Sequence, residues 1–249
     1  MADLQVVTLG AFGRASVKGV FTDRRDGASK PPYDDANLAE HVGDDAAAVK
    51  ENREALEGRV AAPIVWMEQV HGSDVAVVTD LSTQTFEGVD GLVTAQSQIG
   101  LGVLVADCVP VLLADPDAGV VAAAHVGRRG LVAGTAVRTV EAMTQLGAAP
   151  DRTNVWLGPS ICGRCYEVPW KMRADVEAAA PGSATGTSRG KPSVDLRAGL
   201  RRQLLGAGVG AVRDVGPCTA ESTDHFSYRR DGVTGRSAGV IVLASNRAD

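Results

Sequence analysis

Residues 101–125 read LGVLVADCVPVLLADPDAGVVAAAH. Three apolar runs lie inside that stretch: Leu101 to Ala106, Val111 to Ala114 and Val120 to Ala124. Each is short and bounded by turn residues, as buried strands are. The third is continuously apolar, the pattern of a strand covered on both faces. Asp115-Pro116-Asp117-Ala118-Gly119 between the last two is a turn by composition. Pro110 cannot donate to a ladder, which predicts a break or a sheet edge there. Cys108 stands at the corner between the first two runs, and His125 follows the third.

The same punctuation continues outward. Ile64-Val65-Trp66-Met67 reads as a strand before His71, and Val75 to Val78 and Asp90 to Thr94 are further short runs. Residues 4–8 and 17–22 read as strands around a turn at Gly13-Arg14. Val155 to Leu157 runs into Gly158-Pro159, and Val240 to Leu243 is a final strand. Helical spacing covers Asp44 to Leu56, with Asp44 or Asp45 as cap and Gly58 past its end. Further helices are expected over Leu131 to Leu146, Trp170 to Ala180 and Leu196 to Leu205. Asp26 to Asp35 is a loop. Residues 181–193 are low in complexity and predict a flexible loop, and Asp231-Gly232 is a hairpin-turn signal. Strands and helices intermix without strict alternation. The expected fold is α/β or α+β, with mixed β-sheets flanked by helices in a single domain spanning 1–249.

The chain has 249 residues, long enough to bury a sizeable core. Aromatics are 4% of the chain, so Val, Leu and Ala must carry that core. The net charge of −5 argues against a general nucleic-acid binder. The start lacks a basic segment followed by a long apolar one, and no run approaches the ~20 residues of a membrane span. A soluble, cytoplasmic protein is expected. In a reducing cytosol Cys108, Cys162, Cys165 and Cys218 are free thiols or ligands rather than disulfides. A lone Cys162-x-x-Cys165 pair is half a zinc ribbon, and two ordinary thiols in a turn is the plainer account.

His71, Cys108 and His125 are the candidates for chemistry. Two imidazoles and one thiolate at neighbouring strand ends make a three-ligand site, and zinc with three protein ligands keeps a fourth position open. Taken singly, each residue has a plain structural role open to it.

Longer blocks surround these residues. They include Gln69-Val70-His71-Gly72, Asp90-Gly91-Leu92-Val93-Thr94, Ala106 to Val111 and His125-Val126-Gly127-Arg128-Arg129-Gly130. Gly158 to Ile161, Cys165 to Val168 and Phe226 to Asp231 follow, and Phe21 to Arg24 with Asn52-Arg53 come earlier. In that order the blocks resemble the YfiH-like, laccase-domain family, once called polyphenol oxidases and later assigned purine nucleoside phosphorylase activity. The resemblance covers nearly the whole chain. It implies a mixed-sheet α/β fold similar to a group once labelled cysteine hydrolases. It implies a catalytic zinc, with copper as the other metal, on His71, Cys108 and His125. It further implies phosphorolysis of adenosine and inosine, cleavage of methylthioadenosine and deamination of adenosine. The partners it implies are purine nucleosides and phosphate, with neither nucleic acid nor membrane, and it is compatible with a homodimer.

Two departures stand out. The family usually reads His-Ala-Gly-Trp-Arg-Gly where this chain has Val126 and Arg128, and it often has Gly at Asp26. Arg128 in place of Trp adds positive charge beside the expected metal ligands and changes the surface on which a substrate stacks. Phosphate calls for guanidinium groups, and Arg129 and Arg24 are the first candidates, with Arg229 or Arg230 behind them. Asp107, beside the ligand Cys, is a candidate general acid/base or imidazole partner, against a plain turn role. Gln69 is two residues before His71, on the same side of an extended chain, and is a candidate for a substrate hydrogen bond. The rival functions are copper-dependent phenol oxidation, cysteine hydrolysis by Cys108 with a His, and metal binding without catalysis. The chain's 4 histidines are too few for coupled copper centres.

Overall fold

The computed structural model describes residues 6–9 and 16–244. In chain order the elements are β1 (Val6–Leu9), β2 (Val17–Thr22), α1 (Ala46–Val60), β3 (Ile64–Glu68), β4 (Val75–Val77), β5 (Thr85–Glu87), β6 (Gly91–Thr94), β7 (Gly100–Val105), β8 (Val109–Asp115), β9 (Val120–Val126), α2 (Arg128–Ala133), α3 (Thr135–Gln145), β10 (Asn154–Leu157), α4 (Trp170–Ala179), β11 (Ala184–Gly186), β12 (Pro192–Val194), α5 (Leu196–Gly206), β13 (Ala211–Asp214), α6 (Tyr228–Asp231) and β14 (Ser237–Leu243). The Gly13-Arg14 turn expected before β2 lies outside the described residues.

Two six-stranded sheets form, ordered β1-β2-β14-β7-β3-β5 and β13-β10-β8-β9-β6-β4. Both are mixed. β3 runs parallel to β7 and β5, β10 parallel to β13, and β4 parallel to β6, while the other neighbours are antiparallel. The mixed-sheet α/β architecture is therefore the one expected.

Alternation along β8 and β9 explains the layering. Val109, Val111, Leu113, Val120, Ala122 and Ala124 pack with Leu131, Val140, Met143, Leu200 and Leu204 of the helices. Leu112, Ala114, Val121 and Ala123 point the other way and meet Val65, Leu101, Val103 and Ile241 of the opposite sheet. On the far side, Leu56 and Val60 of α1 cover Ile64, Trp66, Leu104 and Val240. The order is helix, sheet, sheet, helix. Each fully buried Val or Leu contributes about 1.5–3 kcal/mol, so the doubly covered strands hold the molecule together.

Local expectations shift at five places. Gly58 lies inside α1, which runs on to place Val60 beside Leu56 and closes at Ala61 (φ 58°); Asp45 caps the start, accepting from Ala47 N at 2.9 Å. The helix expected over Leu131 to Leu146 is two helices, divided at Gly134 (φ 77°), a left-handed position that favours glycine. Pro110 sits within a central strand, opposite His125. Its carbonyl accepts from Gly158 N at 2.9 Å, so its missing donor falls where β10 has already ended. The 181–193 stretch is not a free loop. β11 pairs with β12, and the Glu177 carboxylate accepts from Gly182 N and Ala184 N at 2.8 and 2.7 Å. Asp231-Gly232 closes α6 instead of turning a hairpin.

Candidate metal centre

Two turns and a strand bring the chemistry together. His71 lies three residues beyond β3 and Cys108 immediately before β8, where the chain crosses from one sheet to the other; His125 lies on β9. One donor atom of each falls within 4.8 Å of the other two. The imidazole rings meet edge to face, with centroids 4.7 Å apart, and Cys108 Sγ is 3.8 Å from His71 Nε2. Gly127 leaves the space they need: a Cβ there would come within 2.8 Å of Cys108 Sγ and 3.0 Å of His71 Cδ2.

A carboxylate from a third turn orients both histidines. Asp90, fully buried, accepts from His125 Nδ1 at 2.7 Å and from His71 N at 3.0 Å. It also accepts from Gly72 N at 2.6 Å and Val70 N at 3.2 Å. These bonds hold His71 at φ 60° and turn His125 Nε2 toward Cys108. The donor set fits a borderline-soft divalent ion: one sulfur, one imidazole with its second nitrogen already engaged, and one on a clamped turn.

Electrostatics agree. Burial opposes charge on Cys108, but His125 and His71 outweigh it and pull the thiol down to about 6. Burial likewise opposes charge on His125, but Cys108 and Asp90 raise it to about 9. Without metal, a thiolate–imidazolium pair is favoured. With metal, the His125 proton is displaced.

The three ligands line a cavity of about 640 Å³, within the range of small-molecule sites. Its wall also carries His41, Gln69, Asp107, Arg128, Tyr166, Tyr228, Arg229 and Arg236.

A family model described as "Multi-copper polyphenol oxidoreductase laccase" matches residues 18–244. The chain belongs to that laccase-like family. Its fold is that of YfiH from Bacillus licheniformis, with a TM-score of 0.85 and 29% identity over 91% of this chain and 92% of that one. A Neisseria meningitidis protein superimposes with a TM-score of 0.86 at 35% identity, covering 96% and 99% of the two chains. A Streptomyces griseus protein named a purine nucleoside phosphorylase is 54% identical over 229 residues, 90% of this chain and 93% of its own. One of Mycobacterium tuberculosis with the same name is 46% identical over 247 residues, 97% and 98% of the two chains.

Within this laccase-like frame the remaining expected site residues divide. Arg128 lines the cavity, whereas Arg129 is exposed and does not. The backbone enters α2 at Arg128, which turns successive side chains about 100° apart. Burial raises the Tyr166 hydroxyl above its usual range, and the nearby charge of Arg128 acts against that. Arg24 is spent on structure: Nε donates to Asp34 O at 2.6 Å, and the guanidinium lies 4.7 Å over the Phe226 ring. Gln69 reaches the cavity wall, but its amide pairs with Leu104 like a ladder residue, donating to O at 2.7 Å and accepting from N at 2.9 Å. Asp107 is not the imidazole partner. Its carboxylate accepts from Thr219 Oγ1, Ser227 Oγ and Arg229 N at 2.6, 2.7 and 2.6 Å, tying together the loops behind the site. Asp90, quoted in the sequence only as the head of the Asp90-to-Thr94 block and given no task there, takes the partner role.

Proposed function

We propose that this chain is a purine nucleoside phosphorylase acting on adenosine and inosine. Methylthioadenosine is a further substrate and adenosine deamination a second reaction, with zinc held by His71, Cys108 and His125. One observation carries this: three convergent donors sit in the wall of a cavity that also bears Arg128, Arg229 and Arg236. The relatives' names support the reaction class.

Phosphorolysis breaks the bond between ribose C1′ and purine N9 and joins C1′ to a phosphate oxygen. The incoming phosphate is an anion, and guanidinium groups grip it while staying charged. Arg236 lies deep enough that burial lowers it below the usual guanidinium range, with Cys108 and Asp107 acting against that. Arg229 is steadied by Glu167 O at 2.9 Å and stacks 4.9 Å over the Tyr166 ring. Tyr228, 63% exposed at the cavity mouth, offers a ring face to the purine. His41 is kept toward its neutral form by burial and by Arg236 and Arg53, so it adds a hydrogen-bonding group without opposing the phosphate site. The metal, when bound, supplies a Lewis acid for a substrate oxygen or for the water that deamination needs.

The test is conversion of inosine to hypoxanthine and ribose 1-phosphate, dependent on phosphate, with elemental analysis of the same sample. Cys108→Ala is expected to lose turnover by at least ~100-fold; full activity in that variant refutes the assignment. Stoichiometric copper with oxygen uptake on phenols establishes the oxidase instead. The Asp90–His125–Cys108 chain of contacts favours a second reading, a cysteine hydrolase. Chelator-insensitive activity abolished by alkylation of Cys108 selects it.

A further inference from the structure

Away from the cavity ligands, a second group of potential ligands assembles. Cys162, Cys165, Cys218 and Glu221 each bring one donor atom within 4.8 Å of the others. They come from two similar turns. Cys165 N donates to Cys162 O at 3.0 Å, and Glu221 N donates to Cys218 O at 3.2 Å. Each turn therefore presents two donors three residues apart, the spacing by which paired turns enclose zinc. The turns are locked to one another. Cys162 N donates to Cys218 Sγ at 3.3 Å, Thr219 N donates to Ser160 O at 3.2 Å, and Cys165 Sγ lies 3.4 Å from Glu221 Oε1. Arg197 binds both backbones, donating to Ser160 O at 3.3 Å and Pro217 O at 3.0 Å, and its Nε donates to Ser160 Oγ at 2.7 Å.

We propose that this cluster is a structural zinc site, with Cys162, Cys165, Cys218 and Glu221 as its four ligands. A tetrahedron with zinc–sulfur bonds of ~2.3 Å has edges of roughly 3.8 Å, so the ligands need move inward by less than about 1 Å. Charge also balances. Three thiolates, one carboxylate and a divalent ion sum to −2, and two guanidiniums offset it: Arg164, 3.4 Å from Glu221, and Arg197 beneath the turns. With four protein ligands the site is closed, which makes it a staple and not a second catalytic centre.

What it fastens is the cavity wall. Ile161 and Tyr166 flank the first turn and line the cavity. Thr219, next to Cys218, donates to Asp107 at 2.6 Å, one residue from Cys108.

The inference stands apart from the proposed activity and is read by metal content. Full-length protein, stripped with chelator under reducing conditions, is reloaded with zinc alone. The wild type is expected to bind one more equivalent than the Cys162→Ser/Cys165→Ser double variant. With cobalt as probe, His71→Ala/His125→Ala protein is expected to keep intense thiolate-to-metal absorption that Cys218→Ser removes. As a check free of folding effects, zinc is expected to shield Cys162, Cys165 and Cys218 of the wild type from a thiol reagent. Equal zinc stoichiometry in wild type and double variant, or thiol reactivity that zinc leaves unchanged, overturns the proposal.

Discussion

The residue that organises the candidate site is Asp90, which no ligand list would include. One carboxylate serves four donors, three of them successive amides of the turn that carries His71. Asp90→Asn keeps the shape but replaces one acceptor oxygen with a donor and misdirects His125. Metal affinity is expected to fall about 10–100-fold, read by competition with a chelator; unchanged affinity removes the orienting role. Gly127→Ala is expected to weaken binding to a similar degree while the far-UV spectrum stays intact, because the new methyl meets Cys108 and His71. Arg128 belongs to the same scale. Arg128→Trp puts a ring in place of a cavity cation, so KM for phosphate is expected to rise about tenfold, ~1.4 kcal/mol, with kcat changed less. His71, Cys108 and His125 were legible as residues because Cys and His beside apolar strands and glycines are chemically conspicuous. Asp90 was not, because an acid before a strand is common and only the partner across the sheet gives it a task.

At the scale of the element, Asp115 shows how a turn is anchored. Its buried carboxylate, at the end of β8, accepts from Asp117 N, Ala118 N and Ala149 N at 3.1, 3.2 and 2.8 Å and pairs with Arg152 at 2.9 Å. Burial acts against its ionisation, but Ala149, Arg152 and Ala118 outweigh that and hold it below the usual carboxylate range. A carboxyl depressed in the folded state contributes stability that is complete above its unfolded pKa, ~3.9, and is lost as pH falls through the lower folded value. Asp115→Ala is therefore expected to cost about 2 kcal/mol at pH 7, chiefly from orphaned amides. The gap to wild type in chemical denaturation should narrow below about pH 4; a gap constant into acid contradicts the assignment. Element types were largely readable, since period-2 and period-3.6 apolar spacing survive into the structure. Their ends were not. α1 overran Gly58 to bury Val60, and residues 181–193 became a hairpin because Glu177 and the Tyr166–Val168 segment supplied its hydrogen bonds.

Across the whole molecule, the candidate centre joins the two sheets. His71 leaves β3 of one, His125 sits on β9 of the other, and Cys108 is at the crossing. An ion held there fastens the layers to each other. Zinc at ~100 times its Kd is expected to add about 2.7 kcal/mol, which at this chain length raises Tm by roughly 5–10 °C. Differential scanning calorimetry with and without chelator checks this, with His125→Ala as the variant whose shift should shrink; an equal shift there sinks the link. The sequence by itself determined the layered mixed-sheet plan, since alternation and continuous apolar runs dictate which faces must be covered. It also determined the ligand types, which are matters of side-chain chemistry. Only the tertiary structure decided which carboxylate steadies His125, that Arg128 and not Arg129 faces the cavity, and that a lone Cys162-x-x-Cys165 pair meets Cys218 and Glu221. Those choices depend on crossings between segments far apart in the chain, where spacing along the polymer carries no distance information.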